Sequence, residues 1–199
     1  MRRTHVRLPG MNAFEYLSVL VGIIIALGVS HILASAMRLI RFRFRIKIHP
    51  LTLIWMLVLF LLQMLIWWDA FTRREWTDWT FFGFLLYVLI PILVSVPGYL
   101  LVPENMAELD DDYALLDEFE KNRRWFFGIL GAVGLVSLAE YLVSSATPRF
   151  GIRNSAPLFI IVLSALGLWL KSVRAQLLIA ISFLIFLLSF VSFVFLRLS

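Results

Sequence analysis

The apolar residues of this chain are gathered into runs about as long as a bilayer core is thick, roughly 20 residues at 1.5 Å rise each. Six such runs follow one another: Asn12 to Ile40, Leu51 to Trp68, Trp79 to Val102, Trp125 to Ser144, Ser155 to Lys171 and Leu177 to Leu196. Continuous rather than alternating apolarity selects helices over a β-barrel, because a helix satisfies its own backbone hydrogen bonds where lipid offers none. The sequence therefore predicts an all-α polytopic membrane protein. Its 199 residues form a single membrane domain, a six-transmembrane-helix bundle in a cell membrane.

Composition agrees: 61% of the residues are hydrophobic and only 16% charged, more apolar surface than one small soluble core can hide. Cysteine is absent, which removes disulfides, thiolate nucleophiles and Cys-based metal sites; no cofactor is expected. The net charge of +5 invites a nucleic-acid reading, but arginines flanking apolar spans ordinarily serve topology and anionic headgroups, so nucleic acid is not an expected partner. The opening MRRTHVRLPG resembles the start of a signal peptide. The apolar run from Phe14 to Met37 is too long for one and reads as a retained first helix.

An even number of spans puts both termini on one side. With the termini outside, the inner connections hold Arg38, Arg41, Arg43, Arg45, Lys47, Lys121, Arg123, Arg124, Lys171 and Arg174, ten of the 18 Lys and Arg, which favours that orientation. Trp67, Trp68, Trp76 and Trp79 cluster around the connection between spans two and three, where an aromatic interface belt is expected.

In the first span, Ser18, Gly22, Ala26, Ser30 and Ala34 recur every fourth residue as a ridge of small side chains. Such ridges let helices approach closely in lipid, so the first helix is expected at the centre of the bundle or of a homo-oligomer. His31 and Glu140 are the ionisable residues deepest in apolar spans, and Gln63 joins them as a polar group inside the bundle. His31 shares a helical face with Gly28 and Ser35, Glu140 with Ser137 and Ser144. Each reads either as a transport-path residue or as an ordinary hydrogen-bonded polar group. Aligning Gly22 to Ala36 with Gly131 to Ser145 superposes His31 on Glu140, the signature of a 3+3 inverted repeat, and sets the two toward opposite membrane faces. Pro91 and Pro97 are expected to bend or interrupt the third span.

Between the first two spans, Ile40 to Ile48 reads IRFRFRIKI. The period of two predicts an extended segment, Phe42, Phe44 and Ile46 facing one way and Arg41, Arg43 and Arg45 the other. With Lys47, these cations serve either topology or anionic-lipid binding. The connection over residues 103–124 is acidic. It is expected to be an amphipathic helix with Met106, Leu109, Tyr113 and Leu116 on one face, lying on the same side as the basic loop and attracting it.

Catalysis finds no constellation. His5, His31 and His49 lack metal-ligand spacing, and no H-E-x-x-H, P-loop or G-x-S-x-G occurs, so neither an enzyme nor a metal site is expected. The stretch FEYLSVLVGIIIALGVSHIL (Phe14 to Leu33), the run LLQMLIWWDAF and RRWFFG at Arg123 to Gly128 resemble a group of small uncharacterised bacterial multi-span membrane proteins. The resemblance implies a bacterial cytoplasmic membrane and no particular activity. The Phe-Ser-Asp motif of the small six-span potassium channels is missing.

Two function classes follow. One is a small ion or solute channel or transporter using His31, Glu140 and Gln63. The other is a non-catalytic membrane scaffold or accessory subunit, with a homo-oligomer or another membrane protein as partner. A polar cavity reaching His31 or Glu140 speaks for the first, a dry packed interior for the second.

Overall fold

The computed structural model describes residues 13–72, 80–144 and 155–194. Along the chain these form α1 (Ala13–Phe42), β1 (Ile46–Lys47), α2 (Pro50–Thr72), α3 (Phe81–Leu101), a 3-10 turn (Met106–Glu108), β2 (Tyr113–Ala114), α4 (Leu115–Ser144), α5 (Ser155–Trp169) and α6 (Val173–Val194). Among the described residues the fold is all-α apart from one two-residue parallel pairing of β1 with β2. Every helix except α5 contains a span long and apolar enough to cross a membrane. Large apolar side chains face outward on several of them, Leu27, Met37, Leu135, Ile185 and Leu178 among them. Water would penalise such a surface and lipid does not, so the chain is a multi-pass membrane protein.

The helix starts have local causes. His49 accepts the amide of Leu51 on Nδ1 at 3.2 Å, and Pro50 takes the first helical position of α2, where its missing N–H costs nothing. Thr80 caps α3 by accepting the Gly83 amide at 3.1 Å, and Ser172 accepts from Ala175 at 3.2 Å at the start of α6. Both prolines of α3 lie within one continuous helix, so of the two expected effects, a bend or an interruption, the interruption does not occur.

Helix α1 packs against α2 and α3, α3 against α4, α4 against α5, and α2 against α6. Within the bundle α1 therefore sits at the edge rather than at the centre, and α2, α3 and α4 form the middle. Within a largely aliphatic core lies an aromatic cluster. Fully buried Trp55 meets Phe126, Phe127 and Phe183 edge-on at ring-centroid distances of 4.8, 5.5 and 5.2 Å, joining α2, α4 and α6. Each such contact adds about 0.5–1.5 kcal/mol beyond area burial, and in lipid this close packing carries the association. At Gly134 a Cβ would fall 2.9 Å from the Pro157 carbonyl oxygen, so the missing side chain is what lets α4 and α5 touch.

The two halves of the chain do not share a packing pattern. Helix α1 lies along α3, but no extended packing joins α4 to α6 among the described residues. Three connections gather at one end. The pairing of β1 with β2 places the α1–α2 loop beside the α3–α4 connection, and Arg123 near the start of α4 reaches the end of α5. Helix α4 begins at Leu115 rather than Trp125, so about 12 Å of it precede Arg123.

Candidate functional site

Gln63 ties three helices together. It is fully buried on α2, and its Nε2 donates to Ser95 Oγ at 2.8 Å and to the Pro91 carbonyl at 3.4 Å, both on α3. Ser95 Oγ itself donates to the Pro91 carbonyl at 2.8 Å. Helix α1 closes over this knot at Gly28, where a Cβ would run into Gln63 Nε2 and Ser95 Oγ. Each of these bonds avoids the cost of leaving a buried donor unpaired.

His31 takes different partners. Its ring stacks on Tyr99 of α3 with centroids 3.5 Å apart, and Ser35 Oγ lies 3.4 Å from Nε2. Arg38 donates to Ser35 Oγ at 2.8 Å, so a polar track His31–Ser35–Arg38 runs along α1 toward the basic loop. The shared face with Gly28 and Ser35 is as expected, but Tyr99 is half exposed and the track borders the outer surface. Glu140 is buried on α4, about 37 Å along the helix from Leu115, whereas His31 is about 16 Å from Phe42. They lie toward opposite ends of the bundle.

The small-residue ridge faces outward. Ala26, Ser30 and Ala34 are exposed, Ser18 and Gly22 half-buried, and a Cβ on Gly22 would meet nothing within 4 Å. The buried stripe of α1 is instead Val21, Ile25, Gly28, Ile32, Ser35 and Leu39. At about 100° per residue, strict steps of four drift about 40° each time around the helix, while alternating steps of three and four hold one face. The ridge therefore does not place α1 at the centre of the bundle.

Outside the apolar spans the basic and acidic segments meet. Arg45 Nε lies 2.7 Å from Asp111 Oδ1, Arg45 Nη2 donates to the Leu109 carbonyl at 3.2 Å, and Lys47 Nζ lies 3.4 Å from Asp112 Oδ1. The Asp112 amide donates to the Arg45 carbonyl at 2.8 Å, and Ile46 pairs with Tyr113. Asp112 takes φ 73°, a left-handed turn that Asp tolerates better than most residues.

Two expectations are corrected here. Helix α1 continues through Phe42, leaving only Ile46–Lys47 extended, and Phe44 is 85% exposed while Ile46 is buried, so they do not share a side. The acidic connection is not one helix, although Met106, Leu109, Tyr113 and Leu116 do face the core. Tyr113 donates to Glu118 Oε2 at 2.6 Å, and this bond, with burial, pushes its phenol up to about 12.

Arg123, read from sequence only as a topology charge, is buried and serves as a cap. Its Nη1 donates to the carbonyls of Gly167, Leu168 and Leu170 at 2.6, 3.0 and 3.3 Å. Gln176, unmarked in the sequence reading, donates to the Gly167 carbonyl at 3.1 Å and also to that of Leu170. Late helix carbonyls lack intrahelical donors and carry partial negative charge, so a buried guanidinium needs no carboxylate there. A cation early in a helix and a glutamine after a turn gave little sequence signal. Trp67 and Trp68 are exposed, as an interface belt requires; Trp76 and Trp79 lie outside the described residues, as do Ser145 of the repeat alignment and the cations of the N-terminal tail.

Among the described residues no group of His, Asp and Glu is arranged to hold a metal ion. Compared with known proteins, the chain matches no family model, no curated sequence and no solved structure at a significant level.

Proposed function

We propose that this chain is a non-catalytic scaffold or accessory subunit of a membrane assembly, crossing the bilayer six times. The observation that carries the reading is the aromatic plug of Trp55, Phe126, Phe127 and Phe183, which fills the space among α2, α4 and α6 with fully buried, closely packed rings. Gln63 spends its donor on a helix junction, while His31 and Glu140 lie toward opposite ends. Counting α5 as a crossing is supported by its antiparallel packing on α4, although its 15 residues span only about 22 Å. The unequal packing of the two halves argues against a transporter that rocks equivalent repeats. The resemblance to small bacterial membrane proteins supports a bacterial cytoplasmic membrane as the location.

Reconstitution into liposomes tests this. Ion and proton flux should equal that of empty vesicles. Flux that disappears in His31→Ala or Glu140→Gln would overturn the scaffold reading in favour of a channel or transporter. A photo-crosslinker at exposed Glu108 should trap a second polypeptide in native membranes, and one at lipid-facing Ile185 should not.

A further inference from the structure

The outer surface between α1 and α2 carries a groove of about 520 Å³. Its walls are almost wholly apolar, with Ile32, Ala36 and Ile40 from α1 and Leu53, Leu57 and Phe60 from α2. Arg43 stands at the end nearest the basic loop. From Ile32 to Arg43 the lining covers about 16 Å along the axis of α1. A hydrocarbon core about 30 Å thick has leaflets of about 15 Å, so the groove is about as long as one leaflet is thick.

The structure also sorts the cations of the loop. Arg45 and Lys47 are committed to Asp111 and Asp112. Arg43 has no ion pair among the described residues; Nη1 donates to the Ile40 carbonyl at 2.9 Å, and the guanidinium lies 4.2 Å from the centre of the Phe44 ring. Both contacts orient the group and leave its charge uncompensated. Arg41, one helical residue before Phe42, adds a second exposed cation beside it. No carboxylate lines the groove.

We infer that this groove is a binding site for one anionic phospholipid, an acyl chain lying between α1 and α2 and the headgroup phosphate on Arg43. The inference is independent of the scaffold reading, since a channel could carry the same site. An apolar trench alone would accept any lipid chain. The selectivity comes from the uncompensated guanidinium at its mouth, and a cation near an anionic surface contributes roughly a five-fold preference. Lysine would keep the charge, although it lacks the planar fork that arginine offers a phosphate.

Native mass spectrometry of the purified full chain with equal amounts of phosphatidylglycerol and phosphatidylcholine of the same acyl composition tests the site. The wild type should retain phosphatidylglycerol roughly five-fold over phosphatidylcholine. Arg43→Gln should bring the ratio close to one without lowering phosphatidylcholine retention, and Arg43→Lys should keep most of the preference. Leu57→Trp, at a half-exposed position of the groove wall, should reduce retention of both lipids. Equal retention by the wild type, or an unchanged ratio in Arg43→Gln, overturns the inference. So does disulfide-linked dimer formation by Leu57→Cys in lipid-replete membranes, which would give the groove to a second copy of the chain. Free inorganic phosphate should not displace the lipid, because the acyl chain supplies part of the binding; displacement would reduce the site to a phosphate contact and overturn it.

Discussion

Arg45 and Asp111, 66 positions apart in the chain, meet at 2.7 Å and fasten the α1–α2 loop to the α3–α4 connection. The side chains are 46% and 81% exposed, so the pair is screened by solvent and salt. A double-mutant cycle with Arg45→Ala and Asp111→Ala should give a coupling of about 0.2–1 kcal/mol in thermal unfolding at low salt. It should vanish in high salt. A coupling that survives high salt would mean the pair is shielded in a larger assembly.

Glycine positions on α1 separate the face that packs within the bundle from the face that does not. Gly28→Ala should destabilise by about 1–3 kcal/mol, because its Cβ collides with Gln63 and Ser95. Gly22→Ala should be near neutral, since nothing lies within 4 Å. Melting temperatures in detergent measure both, and the reverse order would refute the packing of α1. A larger effect of Gly22→Leu in membranes than in detergent would show that the small-residue ridge contacts another subunit.

Removing the guanidinium of Arg123 should free the end of α5. Arg123→Met leaves the Gly167, Leu168 and Leu170 carbonyls without that donor, and charge-assisted hydrogen bonds contribute about 1.5–3 kcal/mol. Amide hydrogen exchange should quicken over residues 166–176 and little elsewhere. Uniform quickening across all six helices would show that Arg123 supports the whole fold rather than this cap.

Tyr113 makes one contribution to stability depend on pH. Its hydrogen bond to Glu118 raises the phenol from an ordinary 10.0 to about 12, so the folded state holds the proton more tightly than the unfolded one. The contribution is complete below pH 10 and is lost as pH rises through 12. Melting temperatures of wild type and Tyr113→Phe should therefore converge over that interval. A constant difference between them would remove the phenol from the titration.

Particular residues show how far sequence reading reached. Five of the six helices begin and end near the apolar runs, while α4 starts ten residues ahead of its own, and His31 shares its face with Ser35, because helical periodicity is local. Charge opposition also anticipated the meeting of the basic loop with the acidic connection. The period-two pattern at Ile40 to Ile48 overstated the extended segment, since α1 was free to continue through Arg41 and Phe42. Arg123 escaped notice because its partners are backbone carbonyls, which every residue carries and no composition reveals.

By itself, then, the sequence determined the solvent of this protein and the order of its helices: runs of apolar residues must lie in lipid, and in lipid each run must close its own hydrogen bonds. The faces that meet were left to the tertiary structure. Lipid tails are as apolar as leucine, so hydrophobicity cannot distinguish an inward face from an outward one, and the choice falls to steric fit and a few polar contacts. Those are the nesting of Gly28 on Gln63 and Ser95, the stacking of aromatic rings on Trp55, and the reach of Arg123 to the end of α5. Each depends on atoms brought together from separate helices, a relationship that spacing along a single helix does not contain.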